Sequence, residues 1–200
     1  MSSLKVENLS FLQRGPYSFE VAAGAVLGLR GASGAGKTLL LRAIADLEPH
    51  DGSLWLNQTA CEDLSGPQWR QRVAYLPAES LWWYDRVGQH FSMAPEPQWS
   101  QQLGLDSEVM NWEVSRLSTG EKQRLAILRL LQRRPHALLL DEPTASLDSD
   151  SIGRVEKFLL DYLAQNSAPA IWVSHDQAQL ERVSASRMEI LAGGEMRELI

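Results

Sequence analysis

Cysteine is almost absent from this sequence. Cys61 is the only one, so neither an intramolecular disulfide nor a thiolate zinc cluster can form within the chain, which suits a reducing compartment. Histidine is sparse as well: His50, His90, His136 and His175 stand apart without metal-ligand spacing. No apolar run approaches the ~20 residues of a spanning helix. The N-terminal Met1-Ser-Ser-Leu-Lys-Val-Glu-Asn8 carries charges where a secretory signal needs its apolar stretch. Any link to a membrane is therefore expected to run through another protein. Positive charge is not in surplus either. A formal net charge of -6 at pH 7 argues against a surface that neutralises nucleic-acid phosphates, and no nucleic-acid partner is expected.

What remains is a chain of 200 residues, 44% hydrophobic, long enough to bury a core and expected to form one domain over residues 1–200. Short β-like runs at 4–6 and 17–21 precede an apolar strand at 25–29, a glycine-rich segment, and a helix from Lys37 to about Leu47 that Pro49 and Asp51-Gly52 end in a turn. Further strands are expected at 53–56, 72–76, 137–140 and 170–173, and helices at 119–133 and 149–165. Pro95 and Pro97 interrupt weak periodicity between them, which predicts a small, mostly helical lobe inserted at approximately 80–132. The tail, with Gly193-Gly194 between two short strands, reads as a closing hairpin. Strands alternating with helices imply an α/β core, a mostly parallel sheet covered on both faces, with antiparallel strands at the N-terminus.

Gly31-Ala-Ser-Gly-Ala-Gly-Lys-Thr38 matches the G-x-x-x-x-G-K-[ST] phosphate-loop pattern of P-loop NTPases in full, between a predicted strand and a predicted helix. Its glycines let the backbone curl so that successive N–H groups face one concavity at a helix N-terminus. Lys37 then reaches β- and γ-phosphates, and the Thr38 hydroxyl serves Mg²⁺. The expected nucleotide-binding set is Gly31, Ala32, Ser33, Gly34, Ala35, Gly36, Lys37, Thr38 and Leu39. A glycine-rich turn that only caps a helix is the plainer alternative, but it leaves the fixed positions of Lys and Thr without a reason.

Ala137-Leu-Leu-Leu-Asp-Glu142 is an apolar strand ending in two carboxylates, and ligands of parallel sheets bind at the carboxyl ends of strands. Asp141 is placed to hold Mg²⁺ with Thr38, and Glu142 to polarise an attacking water. Alternatively the pair only opens a turn before Pro143.

Leu117-Ser-Thr-Gly-Glu-Lys-Gln-Arg124 resembles the signature of ATP-binding-cassette (ABC) transporter ATPases, usually Leu-Ser-Gly-Gly-Gln. Ser118 and Glu121 also form an S-x-x-E capping box, which opens a helix with an exposed positive end. Downstream, Asp141-Glu-Pro-Thr-Ala-Ser-Leu-Asp148 resembles the family's acidic motif and D-loop, and Val173-Ser-His175-Asp176 its switch histidine. The resemblance implies an ATPase that pairs, as a homodimer or with another cassette, around two ATP·Mg²⁺. Ser118, Thr119 and Gly120 would then face the γ-phosphate of the other subunit, with Ser146, Leu147 and Asp148 at the seam. Glu142 and His175 would be catalytic, and a separate transmembrane permease subunit would hold the cassette at the inner face of the cell membrane.

Several positions depart from the family pattern. Thr119 and Glu121 stand where glycine and glutamine are usual, which would slow hydrolysis. Ala78 replaces the glutamine that follows the strand ending Tyr75-Leu-Pro77, with Glu79 the nearest substitute. The aromatic platform for adenine falls near Gln13 or Arg14, with Phe11 and Tyr17 as other candidates. Leu81-Trp82-Trp83-Tyr84 lies where the family receives its permease, and adjacent aromatics suit an interface anchor. The competing expectation is that these rings pack into the lobe. Trp55, Trp69, Trp99, Trp112 and Trp172 are expected to serve packing. Two other functions fit the motifs: a soluble, non-transport ABC ATPase, and a regulatory module with a degenerate nucleotide site.

Overall fold

The computed structural model describes residues 3–199; Met1, Ser2 and Ile200 lie outside the described residues. The chain opens with an antiparallel hairpin, β1 (Leu4–Phe11) and β2 (Arg14–Val21). Leu4, Val6, Leu9 and Phe11 all face the core, although strict alternation from Leu4 would turn Leu9 outward. A register shift between Val6 and Leu9, with Asn8 at φ 51°, flips the faces. That bulge is why the strand expected at 4–6 continues to Phe11. Leu12 and Gln13, at φ 44° and 62°, make the two-residue turn that matches strand twist.

β3 (Val26–Gly31) leaves for a second sheet and runs into α1 (Lys37–Ile44). β4 (Asp51–Leu56) and β5 (Thr59–Ala60) return to the first sheet, giving the antiparallel order β2-β1-β4-β5. α2 (Gly66–Arg72), β6 (Val73–Leu76), α3 (Pro97–Gln102), α4 (Thr119–Leu131), β7 (Ala137–Asp141), α5 (Ser149–Asn166), β8 (Ala170–Val173), α6 (Gln177–Val183), β9 (Ser186–Ile190) and β10 (Met196–Leu199) follow. The second sheet has the order β10-β9-β3-β8-β7-β6, parallel except for β10. β7 and β8 are buried along their whole length, as strands covered on both faces must be. Alternate residues of β7 feed opposite cores. Leu138 and Leu140 pack with α4 and α5, whereas Ala137 and Leu139 pack with α1 and the antiparallel sheet.

α1 stops at Ile44, short of the expected Leu47. Asp46 takes φ 54°, its N–H donates to the Ala43 carbonyl, and the Leu47 N–H reaches back to Arg42, so the helix closes on itself. Residues 80–132 contain less helix than the sequence suggests: α3, three short 3-10 turns, and then α4. Pro97 starts α3, where its missing N–H costs nothing. Among the described residues no helix is long and apolar enough to cross a membrane.

Candidate functional site

The carboxyl ends of β3, β8 and β7 lie side by side, with Leu29 opposite Val173 and Val173 opposite Asp141. Three loops therefore leave one sheet edge together: the phosphate loop from β3, Ser174-His175 from β8, and Glu142 from β7. They enclose a cleft of about 250 Å³ lined by Ser33, Gly34, Gly36, Lys37, Thr38, Leu39, Ala78, Asp141, Glu142 and His175. Gly34 and Gly36 sit at φ 75° and 106°, in the left-handed region that glycine enters without steric cost.

Lys37 is buried, and its Nζ donates to the carbonyls of Gly31 (2.8 Å) and Ala32 (3.0 Å). Burial lowers its pKa below the ordinary lysine value, with Glu142 and Asp141 opposing. The Thr38 hydroxyl donates to Asp141 Oδ2 at 2.7 Å, joining the two residues expected to serve a metal. The Tyr75 hydroxyl donates to the same oxygen at 3.2 Å. Tyr75 lies in no motif and is not singled out by the sequence, although its parallel pairing with Leu139 on β7 places it near that strand's acidic end. Burial pushes the phenol strongly up, and neighbouring Asp141 adds to the shift.

Glu142 has a left-handed backbone, φ 49°, and its N–H donates to the Val173 carbonyl at 3.1 Å. Its Oε1 is buried without a hydrogen-bond partner among the described residues and lies 3.5 Å from His175 Nε2. Burial raises the carboxyl above the usual glutamate range; His175 and Lys37 oppose, while Asp141 adds. Ala78 borders this cleft, whereas Glu79 is not among its lining residues.

Ser118, Thr119 and Gly120 lie outside the cleft, at the start of α4. The expected capping box is present: the Glu121 N–H donates to Ser118 Oγ (3.2 Å) and the Ser118 N–H to Glu121 Oε2 (2.9 Å). Burial would raise the Glu121 pKa, but the bonds its carboxylate accepts from the Ser118 N–H and hydroxyl, with Arg124 and Arg116 nearby, hold it low. Glu121 is thus turned back onto its own helix start. A Cβ on Gly120 would come 3.3 Å from Leu147 Cδ2, so this turn packs on the loop holding Ser146 and Asp148. Asp148 caps α5 by accepting the Ser151 N–H at 2.9 Å.

Two adenine-platform candidates fail. Phe11 and Tyr17 are buried with their ring centroids 5.8 Å apart, and the Tyr17 hydroxyl donates to the Gly194 carbonyl at 2.7 Å. The bulge at Asn8 turned Phe11 inward. Arg14 donates its guanidinium N–H groups to the phosphate-loop carbonyls of Gly34 and Ala35.

The aromatic run divides. Trp82 packs against the core beneath the Arg129 guanidinium, 4.5 Å from the ring centroid, whereas Leu81, Trp83 and Tyr84 are exposed. His90 anchors the run: its Nε2 accepts the N–H groups of Trp83 (2.9 Å) and Tyr84 (3.0 Å). Trp69 and Trp172 are fully buried.

The family model described as ABC transporter matches residues 15–145, taking in the phosphate loop, Ser118 and the acidic end of β7. The chain belongs to the ABC transporter family. A phosphonates import ATP-binding protein of Wolinella succinogenes is 33% identical over 233 residues, covering 98% of this chain and 84% of that protein. An Fe(3+) ions import ATP-binding protein of Haemophilus influenzae is 31% identical over 198 residues, and this ABC chain spans 56% of that protein's length. A solved dimeric ATP-binding cassette, bound to ADP and Pi in a post-hydrolysis state, shares the fold. Its TM-score is 0.81 at 19% identity, over 98% of this chain and 99% of that one.

Proposed function

We propose that residues 1–200 act as one cassette: the ATP-binding and ATP-hydrolysing subunit of an ABC transporter, which dimerises around two ATP·Mg²⁺ and drives a separate transmembrane subunit at the inner face of the cell membrane. The observation that carries this is the cleft. It gathers a buried lysine, a threonine hydroxyl bonded to a carboxylate, and a second carboxylate with a buried oxygen that has no hydrogen-bond partner among the described residues. Lys37 and the backbone of Gly31, Ala32, Ser33, Gly34, Ala35, Gly36 and Leu39 hold the triphosphate. Thr38 and Asp141 offer the oxygen donors that a hard divalent ion takes, so the residues present fit Mg²⁺. Bound there, the ion would neutralise developing phosphate charge. Glu142 Oε1 accepts a hydrogen bond from the attacking water and orients it, and His175 steadies that carboxylate from the solvent side. Ser118, Thr119 and Gly120, outside their own cleft at an exposed helix start, are free to meet a nucleotide on a second subunit. Ser146, Leu147 and Asp148 flank them at the seam. Leu81, Trp83 and Tyr84 form the docking anchor for the membrane partner, and Trp82 supports it from below.

The test is Glu142→Gln on a sizing column with ATP and Mg²⁺. An ATP-dependent dimer supports the sandwich; a strict monomer holding ATP tightly counts against it. Co-purification from detergent-solubilised membranes tests docking. A multi-spanning protein should accompany the native chain and be lost from a folded Trp83→Ala/Tyr84→Ala variant. A regulatory module without turnover is the second reading, favoured by Ala78 at the cleft wall, which has no side-chain group for water or metal. Steady-state phosphate release separates the two.

A further inference from the structure

The phosphate loop is gripped by a cation on each side. Lys37 takes the carbonyls of Gly31 and Ala32. Arg14, from the start of β2, donates Nη1 to the Ala35 carbonyl and Nη2 to that of Gly34 at 3.1 Å. We propose that Arg14 is a positioning residue for polyphosphate, holding the Gly34–Gly36 stretch of the loop in its binding form without touching the nucleotide. This rests on the reading of residues 31–38 as the triphosphate site.

In a trans peptide, C=O and N–H point in opposite directions. The only cis bond among the described residues is Gly15-Pro16, so the Ala35-Gly36 peptide is trans. With the Ala35 carbonyl fixed outward on Arg14, the Gly36 N–H is turned to the other side. That side is the cleft: Gly34 and Gly36 line it and Arg14 does not. The planar fork of a guanidinium presents two N–H groups from separate nitrogens, so Arg14 reaches the Gly34 and Ala35 carbonyls through Nη2 and Nη1 at once. Gly36 is the residue that permits this approach, since a Cβ there would meet Arg14 Cδ and Nε at 3.0 Å. From behind, the C-terminal hairpin closes on the guanidinium: a Cβ on Gly194 would lie 3.7 Å from Arg14 Nη1, and the Tyr17 hydroxyl ties that turn down through the Gly194 carbonyl.

Titration calorimetry with inorganic tripolyphosphate and with ATP, each with Mg²⁺, on wild type, Arg14→Met and Arg14→Lys tests the assignment. If Arg14 acts through the loop, Arg14→Met weakens both ligands by the same factor, about tenfold, and Arg14→Lys falls between. A loss confined to ATP would place Arg14 against the nucleoside and overturn the proposal. So would unchanged affinity for both ligands. Should Arg14→Met not fold, Arg14→Lys carries the same criterion, because a general structural defect does not equalise the losses of two ligands while leaving the unliganded melting temperature in place. A wild type that binds neither ligand overturns the reading of the site itself; one that binds both while the variants are unaffected overturns only the role of Arg14.

Discussion

Glu142 Oε1 ends 3.5 Å from His175 Nε2, buried and without a hydrogen-bond partner among the described residues, at a residue whose backbone is left-handed. A buried carboxylate oxygen without a protein hydrogen-bond donor is costly, and a left-handed non-glycine residue adds strain that the surrounding structure must hold. Both costs are explained if the oxygen is reserved for a water. Glu142→Gln should therefore lower steady-state phosphate release by about 10²–10⁴-fold, the usual contribution of a general base, while ATP affinity measured by equilibrium dialysis stays near wild type.

The same carboxyl predicts a pH dependence. Burial holds its pKa above the ordinary value of 4.5, so the water-orienting form is lost at a higher pH than for an exposed glutamate. The acid limb of kcat should lie above that value and vanish in Glu142→Gln. For stability, a raised folded-state pKa contributes below the unfolded value, and that contribution is lost as pH rises through the folded one. Glu142→Gln should accordingly melt above wild type near neutral pH, with the difference closing toward about pH 4.

Lys37→Ala removes the buried ammonium from the centre of the loop. ATP binding should weaken by at least about thirtyfold, the lower range for truncating one partner of a buried charge pair. Retained affinity in the same dialysis experiment would remove the phosphate-loop assignment.

Gln179 ties the helix after His175 to the segment after Glu142. It is buried, and its Nε2 donates to Thr144 Oγ1 and to Glu156 Oε1, each at 2.8 Å, while Oε1 accepts the Trp172 indole N–H at 3.4 Å. Gln179→Met keeps the volume and strands these partners, at roughly 1–3 kcal/mol in denaturant titration. Because the bonds set His175 relative to Glu142, kcat should fall more than ATP affinity. A Thr144→Val/Gln179→Met pair should be non-additive in kcat.

Trp69, fully buried, donates its indole N–H to the Ile44 carbonyl at 2.8 Å at the end of α1. Trp69→Ala should cost about 3–5 kcal/mol and lower Tm by on the order of 10 °C. Calorimetry checks it, and Trp69→Phe should recover part of the loss.

Contiguous motifs were legible without the fold. The phosphate loop, the acidic strand end and the Ser118–Glu121 capping box are each written within a few residues, because a loop's curl, a strand's burial and a helix cap depend on near neighbours. The parallel core was legible for a related reason: a strand covered on both faces must be apolar throughout, and β7 and β8 are. The 80–132 segment is less legible, since its 3-10 turns carry little periodicity to detect.

Only the tertiary structure decided which side chains reach those motifs from elsewhere. A one-residue bulge at Asn8 buried Phe11, and the following two-residue turn brought Arg14 to the phosphate loop, 20 and 21 positions away in sequence. Trp82 and Trp83 are adjacent and both pack on Arg129 and His90, yet Trp82 also packs against the core while Trp83 stays exposed. Gln179 meets Thr144 across 35 positions. Each outcome turns on a change of face or a side-chain contact between distant segments, and the energy that selects it comes from partners that local spacing does not record.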